Sequence, residues 1–407
     1  MKKILALVLA ALMVLSMVAC AKTNEPGKGV AAAGEITIKV WADNQDLEWI
    51  TKMEENFVKD SKYANIKFEN VAMGEGDAKA AVVQDVTAAG DVYMFANDQL
   101  GELVKAAGLT KLVGDYQKAL LDGNTQFMVD TVTYEGNQYA FPLTNNTYYL
   151  YYNKDVFTED DVKSLDAMIA KDKVHLPWSN AWTAPSLFLA VGGNIFGANG
   201  QDLSAGISFG GEAGLKAAKK MVELAYNDNV VMGDLDISKM INGEVHATIS
   251  GSWVRGDLEK EFGDKLGVVM LPKINIDGTE YQMKALSGSK CVGVNPNTAK
   301  VEGKQAAATA FAAYLASEEA QLARFEMRGI IPAHKNLANN EKVLADQVAK
   351  AEIENINNAG AIQPLLPEMN TYFWGPMGTF AGKVATKQCD VDTVELIFDE
   401  MVAAMNP

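Results

Sequence analysis

Histidine and cysteine are scarce in this chain, with 3 of each in 407 residues. His175, His246 and His334 stand far apart. No H-E-x-x-H, paired-histidine or Cys/His spacing exists, so no metal site is expected. Nucleotide-binding loops are absent too. "GEGDAKA" lacks the third glycine of a dinucleotide fingerprint, there is no Walker A loop, and no cofactor is expected. Residues Gly206 to Gly210 spell G-x-S-x-G, but the polar stretch "NGQDLSA" precedes them, where a nucleophile elbow needs a buried strand. Positive charge is also in deficit. The formal net charge of −16 excludes the basic face of a nucleic-acid binder and any attraction to anionic lipid headgroups. Beyond the first twenty residues no apolar run is long enough to span a bilayer. There is no internal repeat and no low-complexity segment in the main body.

The N-terminus carries an address. Lys2 and Lys3 precede the apolar run Ile4 to Val18, and small residues follow. That is the layout of a secretory signal, residues 1–19. Met17-Val18-Ala19-Cys20 resembles a bacterial lipobox, which implies lipid on Cys20 and anchoring to the membrane. Plain cleavage after Ala19, leaving a free thiol, is the alternative. Residues 20–35 read as the lipidated cysteine and a flexible tether rich in Ala, Gly and Lys. Cys291 and Cys389 sit in no metal-like spacing. In an exported protein they could pair, but two separate buried thiols are expected.

The mature chain is too long for one hydrophobic core, so two domains are expected. Strands and helices alternate, the α/β pattern. Ile36 to Trp41 alternates as a strand. Asp46 to Val58 reads as a helix with Leu47, Ile50 and Phe57 on one face. Ile66 to Val71 and Val92 to Phe95 read as strands. Ala78 to Ala89 and Leu100 to Ala107 read as helices, the latter closed by Gly108. "TYEGNQYAFPL" turns at Glu135-Gly136-Asn137, and "INIDGTEY" is a hairpin on Asp277-Gly278. Further helices are expected at Gly214 to Ala225, Gly303 to Ala316 and Glu341 to Asn357.

Aromatic residues gather at the ends of these elements. Phe95 ends a strand. Trp178 and Trp182 lie in "LPWSNAWTAP". Trp253 follows the strand "ATIS". Tyr372, Phe373 and Trp374 stand beside Gly375-Pro376, where a turn is expected. A flat apolar ring suits the C–H face of a sugar. Asn44, Asp98, Gln99 and Asn146 fall in strand-end loops, where open α/β sheets bind ligands, and their amides and carboxylate suit sugar hydroxyls. Core packing is the competing role for each ring.

The same stretches resemble one family. The chain looks like an extracellular solute-binding protein of a bacterial sugar ABC importer, closest to the maltose/maltodextrin-binding group. "ITIKVWADNQDLEWITKMEENF", "DVYMFANDQLGELVKAAGLTKL", "QYAFPLTNNTYYLYYNKDVF", "GEVHATISGSWVRGDL" and "LPEMNTYFW" carry the resemblance, which covers nearly all of 36–407 in one order. It implies a two-lobe, periplasmic-binding-protein-like α/β fold with three interlobe crossings, near Leu143 to Asn146, Leu286 to Lys290 and Asn336 to Glu341. Lobe 1 would comprise 36–143 and 290–338, and lobe 2 would comprise 144–289 and 339–407. The implied protein is a monomer, not an enzyme. It delivers an oligosaccharide, with an α-glucan favoured, to importer permease subunits at the extracellular face of the cytoplasmic membrane. Trp253 and the cluster Tyr372, Phe373 and Trp374 match the family's stacking aromatics, with Trp182 beside them. Phe95 takes the stacking position of the first lobe, and Asp98 matches a hydroxyl-binding acid. Gln99 replaces an arginine, Asn146 a glutamate, and Asn44-Gln45 a charged pair. Residues alone leave two other classes open. One is a cell-surface glycan-active enzyme, whose carboxylate pair would be spatial rather than sequential. The other is a binder of another oligosaccharide, an amino acid or a peptide.

Overall fold

A computed structural model of the chain describes residues 34–406. The signal segment, Cys20 and the tether as far as residue 33 lie outside the described residues. Two sheets organise the rest. The first runs in the order Gly360–Ile362, Ala285–Val294, Val92–Ala96, Ile36–Ala42, Ile66–Ala72, with Ala140–Asn146 also paired to Ala285–Val294. Its strands Ile36–Ala42, Ile66–Ala72 and Val92–Ala96 are parallel. Ala285–Val294 runs antiparallel to Val92–Ala96. The second sheet is Leu266–Val269, Tyr149–Asn153, Ala247–Ser250, Val174–Leu176, Val230–Met232. Each sheet has its own large apolar core.

Local chemistry explains the elements. In Ile36–Ala42 the residues Ile36, Ile38 and Val40 face inward, with Thr37 exposed between them. Helix Leu47–Phe57 buries Trp49, Ile50, Met53 and Phe57, one stripe at helical spacing. Ser317 caps helix Glu318–Arg328, accepting from the Ala320 N–H, and Gly329 closes it in the left-handed region at φ 66°. Both expected hairpins form. Asp277 and Gly278 take φ 51° and 81°, the positive pair that a two-residue turn with the twist of the strands requires.

Three boundaries differ from the sequence reading. The helix from Ala78 stops at Gln84, because the Asp85 carboxylate accepts from the Thr87 and Ala88 N–H groups and turns the chain. The span Glu341 to Asn357 is two helices, Glu341–Leu344 and Gln347–Ala359, broken where Asp346 caps the second through Val348 and Ala349. The turn expected at Gly375-Pro376 is helical. Asn370–Trp374 is a wide turn leading into helix Gly375–Ala385, and proline is tolerated in a first turn. Cys291 and Cys389 are separate buried thiols, as expected.

The two halves are joined through shared elements. Ala285–Val294 pairs at its start with Gly360–Ile362, then with both Ala140–Asn146 and Val92–Ala96. Helix Glu318–Arg328 docks on the first half. The Trp49 indole donates to the Ala320 carbonyl at 2.9 Å, and buried Arg324 donates to buried Asp46 through two nitrogens. Arg328 adds a third bond to Asp46 at 2.9 Å. Replacing Asp46 by alanine leaves the Arg324 cation buried without its main counter-charge. A loss of about 3–5 kcal/mol of unfolding free energy is expected, read by urea titration of Asp46→Ala against wild type.

Candidate functional site

The strand Ala247–Ser250 ends on Gly251, and the chain then makes one tight turn, Ser252–Val254. Trp253 sits on that turn with 48% of its surface exposed. Its ring lies back over Gly251, where an added Cβ would collide with the indole, so the glycine is what lets the ring fold flat. Trp182 flanks it, with ring centroids 5.8 Å apart and planes at 39°. Trp182 is fixed from two sides. Tyr148 meets it edge-on at 4.8 Å, and its indole N–H donates to Gln363 Oε1 at 2.7 Å. Tyr372 and Trp374 are half-buried and pack on the second core. The second half thus presents indoles held rigidly with a face toward water.

The first half presents charge. Asp98 is half-buried at the end of Val92–Ala96. Loss of hydration pushes its carboxyl pKa up, while Lys290 and Lys79 pull it down and Glu102 adds to the rise. Lys290 pairs with Glu75 at 3.4 Å, and Glu75 lies 3.6 Å from Arg324. Arg328 links Asp46 to Gln45, donating to the Gln45 side-chain oxygen at 2.7 Å. Asn44 and Gln45 are exposed beside them, and Asn146 is half-buried at the end of Ala140–Asn146. Gln99 is different. It is buried, and its amide donates to the Gly76 carbonyl at 2.9 Å, so it braces the Glu75 loop.

Two expected platforms are core residues instead. Phe95 is fully buried, 5.8 Å from the Tyr93 ring and lying over Gly293. Val92–Ala96 is a central strand covered on both faces, so its terminal aromatic points into the core rather than out of it. Phe373 is also fully buried, against Phe209 at 6.1 Å and Trp374 at 4.9 Å. Glu75, Lys290, Arg324 and Arg328 went unrecognised. "GEGDAKA" drew notice only as an incomplete nucleotide fingerprint, and the arginines lie some 280 positions from the Gln45 loop that they meet. Among the described residues no group of three or more His, Cys, Asp or Glu could hold a metal. Ser208 of G-x-S-x-G stays on an exposed loop, hydrogen-bonded to Asn194.

Residues 50–351 match the family described as bacterial extracellular solute-binding protein. The chain belongs to that family. It is a family of binding proteins, not enzymes, which sets the glycan-active enzyme aside. A galactooligosaccharide-binding protein of Bacillus subtilis (strain 168) is 26% identical over 96% of this chain and 94% of its own length. A solved structure described as being with acarbose is 39% identical, covering 92% of this chain and 99% of its own, with a TM-score of 0.85. The maltodextrin binding protein MalE1 from L. casei BL23, solved without ligand, is 27% identical, covering 91% and 99%, also at 0.85. The two α/β halves are therefore the two lobes of this fold. Among the described residues no helix is long and apolar enough to cross a membrane.

One buried group stands directly behind the solute-binding protein's indole turn. Glu352 is fully buried, facing Ser252, Tyr149 and the hinge-strand residue Asn145, with neither carboxyl oxygen in a well-formed hydrogen bond. Burial pushes its carboxyl up to about 8 from 4.5, against the three polar neighbours and with Asp346 adding to the rise. Between those values the folded protein keeps a proton that the unfolded chain has released. Stability therefore falls as pH rises through that window. Glu54, raised to about 7, acts in the same direction. Glu352→Gln removes only its own share. The thermal midpoint of the variant should fall less steeply between about pH 5 and pH 8 than that of wild type. Parallel midpoint-versus-pH curves would show that Glu352 does not titrate there.

Proposed function

We propose that this chain captures an oligosaccharide outside the cell, an α-glucan by preference, and delivers it to an ABC importer. The observation that carries the reading is Trp253, a large apolar face left half in water yet clamped by Trp182 and Gly251. A rigid exposed indole loses little freedom on stacking under a sugar ring. Gln45 and Asp98 of lobe 1 and Asn146 on the strand between the lobes offer hydroxyl partners, with Asn44 beside Gln45 and Gln99 bracing the Glu75 loop. Tyr372 and Trp374 extend the aromatic side. The relatives described with acarbose and as a maltodextrin binder support an α-glucan, and the galactooligosaccharide-binding relative supports the wider reading of an oligosaccharide. We assign 36–143 with 290–338 to lobe 1 and 144–289 with 339–407 to lobe 2. The protein acts as a monomer whose lobes close on the sugar, with closure driven by contacts stronger in the closed state.

Anchoring follows from the same reading. Lys2, Lys3, the run Ile4 to Val18 and Cys20 support a mature protein held at the extracellular face of the cytoplasmic membrane through lipid on Cys20. Cys20→Ala should shift the protein from the membrane fraction into the medium, or leave it unprocessed. An unchanged membrane fraction on blotting would contradict the lipid anchor.

Titration calorimetry with maltotriose tests the site. Trp253→Ala should lose about 2 kcal/mol or more of binding, roughly thirtyfold in affinity, with a ligand-free unfolding midpoint near wild type. Phe95→Ala, a core truncation, should instead lose about 3–5 kcal/mol of stability. Near-normal sugar binding by Trp253→Ala would remove the platform from the site.

A further inference from the structure

The two lobes meet at a second place, away from the paired strands. Arg255 begins helix Arg255–Phe262, two residues after Trp253. Its guanidinium is held on one edge only. Nε donates to Glu259 Oε1 at 2.8 Å, Nη2 donates to Asp346, and Nη1 is buried with no partner. The side chain lies over Gly329, where an added Cβ would stand 3.2 Å from Nη1 and 3.3 Å from Cδ and Nε. Gly329 closes the lobe-1 helix Glu318–Arg328 in the left-handed region. The residue before it, Arg328, holds Asp46 and Gln45. Phe325, from the same helix turn, packs in one apolar cluster with Leu258 of lobe 2. A cleft of about 370 Å³ remains between these groups, lined by Arg255, Glu259, Phe325, Arg328, Gly329 and Asp346.

We infer that Arg255 is a positioning residue for lobe closure. It ties the Trp253 turn to the C-terminus of helix Glu318–Arg328, and through Arg328 to the Gln45 loop. The last carbonyls of a helix lack intrahelical partners and carry partial negative charge, so they draw a cation. A buried donor without an acceptor is costly, and Nη1 lies over Gly329, the residue that ends that helix. On closure Nη1 gains the helix-terminal carbonyls as acceptors. A contact made more strongly in one state shifts the balance toward it. Movement of the sugar platform in lobe 2 and of the hydroxyl-binding loop in lobe 1 is thereby coupled, with no contact between Arg255 and the sugar itself. Glycine at 329 suits the positive φ, and a Cβ there would crowd the guanidinium at 3.2–3.3 Å.

The inference rests on the solute-clamp reading, so its test includes a ligand-free measurement. Spin labels on Lys62→Cys and Glu244→Cys, one exposed site in each lobe, report the interlobe distance distribution by pulsed resonance. Arg255→Met should broaden that distribution and shift it to longer distances in the ligand-free protein. It should also weaken maltotriose binding about tenfold through faster release, and the unfolding midpoint should fall as Asp346 loses its counter-charge, so the distances are read well below that midpoint. Arg255→Lys should recover part of both, because the charge at the helix terminus is kept. Gly329→Ala should displace the same contact from the other lobe and reproduce the shift. An Arg255→Met distribution identical to wild type without ligand would overturn the inference. Wild type that ignores maltotriose would instead count against the sugar reading, while the ligand-free distances still decide the role of Arg255.

Discussion

Everything in this molecule hangs on one pair of antiparallel strands, Ala140–Asn146 and Ala285–Val294. Both strands run side by side from one half into the other, so under the lobe division proposed above a rotation of the lobes bends this ribbon. The register shifts between Lys290 and Cys291, a bulge that re-aims the side chains on either side. Just before it, Gly288 passes so close to Asn97 that a Cβ there would collide with the amide. Asn97 uses that proximity to accept from the Ser289 N–H at 3.0 Å. Thr144 faces Lys290 on one side and bridges Pro332 on the other. Segments near residues 144, 290 and 332 therefore meet at one point. Loops following these strands inherit their positions from it.

The two walls of the cleft rest on different physics. The lobe-2 wall is aromatic and is stiffened by packing, with Tyr148, Trp182 and Trp253 in succession and Gln363 fixing one indole. The first half is ionic there and is stiffened by mutual pairing among Lys290, Glu75, Arg324, Asp46 and Arg328, with the Lys290 charge also acting on Asp98. Each charge there has a neighbour of opposite sign, which lets the group lie partly or wholly buried. In the function proposed above, stacking contributes apolar contact and the polar groups supply orientation. Glu352 is buried behind the Trp253 turn, with Ser252, Tyr149 and Asn145 as neighbours.

The amino-acid order alone was enough for the alternating α/β pattern, for both hairpins and for the family. Those features depend on local periodicity, on Asp-Gly or Glu-Gly at positive φ, and on motifs that survive in order along the chain. It also marked Trp182 and Trp253, because a tryptophan beside small polar loop residues is conspicuous without coordinates. It did not separate Phe95 from Trp253. Both end a strand, yet Phe95 belongs to a strand covered on both faces and Trp253 to a turn beyond a strand's end. Only the assembled sheet distinguishes them. Gln99 looks like a ligand group in the sequence for the same reason, although its amide is committed to the Gly76 carbonyl. The ionic wall was invisible, since Asp46 meets Arg324 and Arg328 across 278 and 282 positions. Ion pairs at that separation leave no periodic trace. Sequence thus determined which groups the protein could offer a ligand, because side-chain chemistry is local. Tertiary structure decided which of them are buried and which stay exposed, because burial depends on strands and helices arriving from distant parts of the chain.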